Sequence, residues 1–283
     1  MNRTRRIRKI FTSKPTIEGA GVHLKRAFGF HEEPGFDPFL LLDDFRSNNQ
    51  KYYINGFPWH PHRGIETITY VLRGNVEHGD SMGNEGIIGS GDVQWMTAGS
   101  GIIHQEMPKG DEDGYNWGFQ LWANLPASHK MMNPRYRDVK SNQIPEITTA
   151  TGVKIRIICG GVLGTKGPVG DIVIDPEYLD VTVPAKSEFV HPTKEGHTVF
   201  AYVIEGKGYF SEEKKPLTNE NLILFDDGNQ LIVSAEDDAV RFLLISGKPI
   251  GEPVAWHGPI VMNTQEELKI AFKEYNNGTF IRH

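Results

Sequence analysis

A single cysteine, Cys159, stands among 283 residues, so no internal disulfide framework exists. One thiol fits a reducing compartment, and a cytoplasmic protein is the expectation. Ile157-Ile158 before it and Gly160-Gly161 after it read as the end of a buried strand. A packed structural thiol is therefore expected rather than a nucleophile. Long hydrophobic runs are missing as well: nothing approaches the ~20 apolar residues that a membrane helix needs. Nor is there an excess of positive charge. Thirty Lys and Arg stand against 36 Asp and Glu, a formal net charge of −6. That balance predicts no pull toward nucleic acid or anionic membrane. The first seventeen residues lack acidic side chains and carry Arg3, Arg5, Arg6, Arg8, Lys9 and Lys14. Organellar presequences share this bias, but Arg6–Phe11 reads better as an edge strand with its polar side in water.

What is present suits a protein of many short strands. Hydrophobic residues make up 38% of the chain, and 31 glycines and 17 prolines punctuate it. Apolar runs of strand length recur at Phe39–Leu42, Ile65–Leu72, Asp92–Met96, Gly118–Ala123, Lys154–Ile158, Val199–Ile204, Asn221–Phe225 and Val240–Ile245. Their Val, Ile, Phe, Tyr and Trp content predicts an all-β fold at barrel-like spacing. One helix is expected near the C-terminus. Thr264 and Glu267 make a capping box, Leu268, Ala271, Phe272 and Tyr275 follow at helical spacing, and Gly278 closes the end.

The length favours two domains. Tyr70-Val71-Leu72-Arg73-Gly74 resembles Tyr202-Val203-Ile204-Glu205-Gly206, and Thr97-Ala98-Gly99 resembles Asp226-Asp227-Gly228, at offsets of 132 and 129. Two tandem copies of one barrel are expected, residues 1–134 and 135–283, the second carrying the helix. The proline-bearing segment 125–150, without strand periodicity, reads as the connection.

The chemistry gathers in the first half. In Trp59-His60-Pro61-His62-Arg63-Gly64-Ile65-Glu66, residues two apart on an extended strand share a face, so His60 and His62 project together, and Glu66 has the same parity. His104 and Glu106 form a second same-face pair. Both pairs inside one barrel put three imidazoles and a carboxylate at a common point. Such a set suits Fe(II), Mn, Ni, Cu or Zn, and the absence of thiolate argues against a closed structural zinc site. Pro61 removes a backbone donor and predicts an edge strand, while Gly99 and Gly101 allow a tight turn before the second pair. Phe57, Trp59, Trp95, Phe119 and Trp122 are candidates to wall a flat aromatic ligand, although for each of them barrel core is the better reading.

The blocks Trp59–Tyr70 and Gly91–Pro108, with Pro38-Phe39-Leu40-Leu41-Leu42-Asp43-Asp44 before them, are similar to the signature segments of the pirins, members of the cupin superfamily. The resemblance covers nearly the whole chain and is strongest over residues 30–125. It implies two tandem cupin (jelly-roll type) β-barrels and one iron-type ion held by His60, His62, His104 and Glu106, with Glu66 outside the ligand set, where it could orient a histidine or a water. Iron(II) comes first, with copper, nickel, manganese, cobalt and zinc as alternatives. The offsets place Pro192, Lys194, Val233 and Ala235 where the second barrel would need ligands, so one metal is expected; His191 and His197 lie nearby but displaced.

Some pirins are quercetin 2,3-dioxygenases, and the resemblance therefore implies opening of a flavonol with O2, Glu106 acting as catalytic base. Others act as iron-dependent redox sensors that bind a transcription factor or a metabolic enzyme, the rival reading. No DNA-reading helix or zinc finger is present, so such a role would work through protein contacts, for which Arg3–Lys9, Lys25–Arg26 and Arg135–Lys140 are candidate faces. A sugar isomerase or epimerase of the cupin type is a third reading that the signature blocks disfavour. A monomer is expected.

Overall fold

A computed structural model describes residues 3–32, 35–211 and 215–282. Every apolar run picked out above lies within or overlaps a strand, from Phe39–Asp44 to Val240–Gly247. The helix spans Gln265–Asn276, and Thr264 and Glu267 make the reciprocal capping bonds. Cys159 is buried at the end of the strand Lys154–Cys159. Among the described residues no helix is long and apolar enough to cross a membrane.

The first compact unit comprises residues 14–32, 39–141 and 250–282. Its larger sheet has seven strands in the order Arg135–Val139, Val93–Thr97, Ile65–Arg73, Trp117–Asn124, Phe39–Asp44, Val22–Phe28 and Lys14–Glu18. A four-stranded sheet, ordered Phe57–His62, Ile102–Lys109, Asn75–Asp80 and Glu85–Ile88, supplies the other wall. The strand bearing Pro61 lies at the edge of that sheet, where a missing N–H breaks no ladder.

The second unit comprises residues 3–13, 35–38, 142–211 and 215–249. Its main sheet begins with Ile7–Thr12 at the edge and continues through Asn221–Phe225, Thr198–Tyr209, Val240–Gly247, Glu177–Val183, Lys154–Cys159 and Glu146–Thr148. Counted from that edge, this seven-strand path through a ten-stranded sheet has the same order as the seven-stranded sheet of the first unit once the first strand of each is set aside. The residues of the 132 offset, Tyr70 and Tyr202, fall on corresponding third strands. The interior of the second unit is filled by apolar side chains, Val233 and Ala235 among them.

The simple division at residue 134 does not match this packing. The edge strand of the second unit is drawn from the N-terminus, and the edge strand of the first is drawn from the expected connection, as Arg135–Val139. The terminal helix belongs to the first unit. Edge strands and short helices bury one side only, so their partners are set by long-range complementarity that local periodicity does not encode.

Candidate metal centre

The strand Ile102–Lys109 alternates between buried and half-exposed positions as far as Pro108, and His104 and Glu106 share its buried face. His60 stands directly opposite His104 in the antiparallel register, and His62 faces Ile102 one step along. The three ring centroids are therefore 4.4 to 5.0 Å apart. One nitrogen from each ring lies within 4.8 Å of the others.

Hydrogen bonding decides which nitrogens face inward. His60 Nδ1 lies 2.8 Å from the Pro58 carbonyl, and His62 Nδ1 lies 2.9 Å from the Pro259 carbonyl. A carbonyl only accepts, so both Nδ1 atoms carry the proton and a neutral ring keeps its lone pair on Nε2. Burial lowers the pKa of His60 and holds His62 and His104 well below the usual imidazole range, against the pull of Glu106 on His60 and of the Pro259 carbonyl on His62. Two lone pairs thus face each other across the 3.0 Å between His60 Nε2 and His62 Nε2. Neither nitrogen of His104, wholly buried, has a hydrogen-bond partner. Converging buried lone pairs without donors fit a cation, and the nitrogen donor set fits a transition metal.

Glu106 lines the same cavity as His60 and His62. Its Oε1 lies 2.9 Å from Thr69 Oγ1, and Gln120 Nε2 approaches Oε2 at 3.5 Å. Thr69 Oγ1 is also 2.6 Å from Gln120 Oε1, and its single proton serves one acceptor at a time. These two side chains set the carboxylate's orientation from the opposite sheet.

Glu66 lies elsewhere. The chain turns at Gly64, with φ of 78°, and the parity counted from His62 does not survive the turn. Glu66 instead accepts from Thr97 Oγ1 at 2.6 Å, with Arg135 at 3.9 Å, on the face of its strand opposite Thr69. It orients no histidine of the cluster.

The C-terminal segment shapes the site. Besides the Pro259 carbonyl, Val261 donates its N–H to the Arg63 carbonyl at 3.1 Å. Lys130 Nζ donates to the carbonyls of Gly64 and Val261 and to Asn124 Oδ1. Buried Arg63 reaches Ser100 and Phe280 carbonyls and pairs with Glu274 of the helix at 2.7 Å. The His62–Gly64 turn is thereby clasped on both sides.

A cavity of about 710 Å³ opens from the histidines. Of the five aromatic candidates, Phe57 and Trp122 line it; Trp95 and Phe119 are buried away from it, and Trp59 is 52% exposed. Trp256 and Phe30, not singled out in the sequence, also line it, as do Asp43 and Arg26, the latter expected on a protein-contact face rather than in a cavity. His78 is a further addition: it stands opposite Glu106 in the register, its ring 5.4 Å from that of His104 and stacked on Tyr136. Its own same-face spacing with Asp80 was the available signal, and Nε2 lies 3.4 Å from that carboxylate.

Residues 21–123 match the family model described as Pirin, and residues 178–281 match the one described as the Pirin C-terminal cupin domain. A "Pirin-like protein" of Caulobacter vibrioides is 44% identical, over 98% of this chain and 99% of its own length. A Pseudomonas aeruginosa protein provisionally named as a quercetin 2,3-dioxygenase is 42% identical, over 98% of this chain and 99% of its own. The crystal structure of quercetin 2,3-dioxygenase from Acinetobacter baumannii superposes with a TM-score of 0.89 at 30% identity, over 98% of this chain and 99% of that one.

Proposed function

The chain belongs to the pirin family, and on that footing we propose that it is a metal-dependent dioxygenase that opens a flavonol such as quercetin with O2 and releases carbon monoxide. The observation that carries this reading is the set of three neutral imidazoles, aimed at one point without donors, at one end of an aromatic-walled cavity. His60, His62, His104 and Glu106 would hold the ion, iron(II) first among the candidates. When bound, that ion would supply Lewis acidity toward the oxygens of a chelating substrate.

The protein's own groups do the rest. The Pro58 and Pro259 carbonyls fix the histidine tautomers. Glu106, steadied by Thr69 and Gln120, takes the proton of the substrate's 3-hydroxyl at a carboxylate oxygen, leaving an electron-rich enolate. Trp122, Phe57 and Trp256 offer flat apolar surface to the rings and exclude water around them. Support for the substrate comes from the relatives named as quercetin dioxygenases.

The test is to incubate the protein with Fe(II), Cu(II) or Ni(II) in turn and follow the visible absorbance of quercetin. Metal-dependent loss that vanishes in His62→Ala supports the reading. No loss under any loading contradicts it and favours the redox-sensing regulator.

A further inference from the structure

The cavity has a second polar end. Arg26 stands opposite Asp43 across the strands Val22–Phe28 and Phe39–Asp44, Asp43 opposite Gln120, and Gln120 opposite Thr69. All four line the cavity, with Glu106 beyond Thr69. At about 4.8 Å per strand, this row carries Arg26 roughly 14 Å from Thr69 and Asp43 roughly 10 Å from it. Between the two ends Leu24, Leu41, Trp122 and Trp256 supply apolar wall, with Gln120 the polar member of the row. A flat molecule of two or three fused or linked rings fits that span.

The far end is a built cluster. Arg26 Nε and Nη2 bind both oxygens of Asp43 at 2.8 and 2.7 Å, and Nη1 binds Glu18 Oε1 at 2.8 Å. Asp43 is 4% exposed, so the pair is held in low dielectric. A guanidinium has five N–H bonds, and these contacts use three; each carboxylate oxygen keeps a second lone-pair direction. The cluster therefore both donates and accepts, which is the pattern of a hydroxyl group. With two carboxylates on one guanidinium it carries no positive surplus, and it disfavours a carboxylate or phosphate on the ligand.

We propose that Arg26, Asp43 and Glu18 are specificity-determining residues that receive the ring hydroxyls of a neutral polyphenol whose chelating oxygens lie at the histidine end. This assignment rests on the flavonol reading and names the part of the protein that distinguishes one flavonol from another.

Quercetin and 3-hydroxyflavone share the chelating hydroxyl and carbonyl and differ in their other ring hydroxyls. Binding of each to Ni(II)-loaded protein without oxygen, followed by tryptophan fluorescence, isolates the far end. Quercetin is expected to bind about tenfold more tightly, because a hydrogen bond to a charged group is worth at least that ratio. Asp43→Asn reduces the ratio to about threefold or less. Glu18→Gln lowers it in the same direction, and its 41% exposed side chain makes that variant safe for folding. Equal affinity of the unaltered protein for the two compounds overturns the assignment, as does an unchanged ratio in both variants. Binding of neither compound overturns the flavonol reading and this assignment together, whereas binding without discrimination overturns this one alone.

Discussion

His60 Nε2 and His62 Nε2 lie 3.0 Å apart, while the Nδ1 atom of each faces a proline carbonyl. The carbonyls act as a lock on the tautomer and leave two lone pairs in mutual repulsion. A cation removes that repulsion. Adding a divalent transition metal should therefore raise the melting temperature, since a ligand that binds only the folded state stabilises it by mass action, by about 2.7 kcal/mol at a hundredfold excess over Kd. Calorimetry checks this; His62→Ala should abolish most of the gain, and an equal gain in that variant contradicts the site.

Glu106 is the group placed to move a proton. Glu106→Gln keeps shape and the Thr69 contact but removes the base, so turnover should fall by about a hundredfold or more while metal content falls much less. Metal analysis beside steady-state rates separates the two. Equal losses in both would make Glu106 a ligand and nothing more.

The Gly64 turn has no room for a side chain. A Cβ there would sit 2.0 Å from the Val261 carbonyl oxygen, at a φ of 78°. Gly64→Ala should cost more than about 2 kcal/mol, the left-handed conformation alone accounting for 1–2 of it. Denaturant unfolding measures this, and a cost below about 0.5 kcal/mol contradicts the clasp around residues 62–64.

Burial lowers the pKa of all three histidines from 6.5. The unfolded chain then binds protons below pH 6.5 that the folded one refuses. Their contribution to stability is complete above pH 6.5 and is lost as the pH falls below it, by at most about 1.4 kcal/mol per histidine for each pH unit. Urea midpoints of metal-free protein at pH 7.5 and 5.5 should show the drop, and His104→Gln should show a smaller one. Asp43, which burial raises to about 6 against the pull of Arg26, acts with the opposite sign between 3.8 and 6. An identical drop in His104→Gln contradicts the buried neutral imidazole.

The sequence made the strands legible wherever apolar runs are flanked by turns, and it made the histidine pairs legible because side chains two apart on a strand share a face. Glu66 shows where that rule stops: one glycine turn resets the count. The helix was readable from its capping box, but not its place beside the first barrel, because Arg63–Glu274 joins residues far apart in the chain. Trp256 and the Pro259 carbonyl were hidden for the same reason. The role of Arg26 and Asp43 was hidden because Lys25–Arg26 reads as a solvated basic face until the register pairs Arg26 with Asp43.

Gas stoichiometry tests the central claim most directly. The metal-loaded protein is given quercetin in a sealed vessel, and quercetin lost, O2 consumed and carbon monoxide released are measured together. The account predicts one O2 and one carbon monoxide per quercetin, and none from His62→Ala beyond the rate of free metal. Quercetin loss without carbon monoxide, or the same yield from the variant, would contradict it.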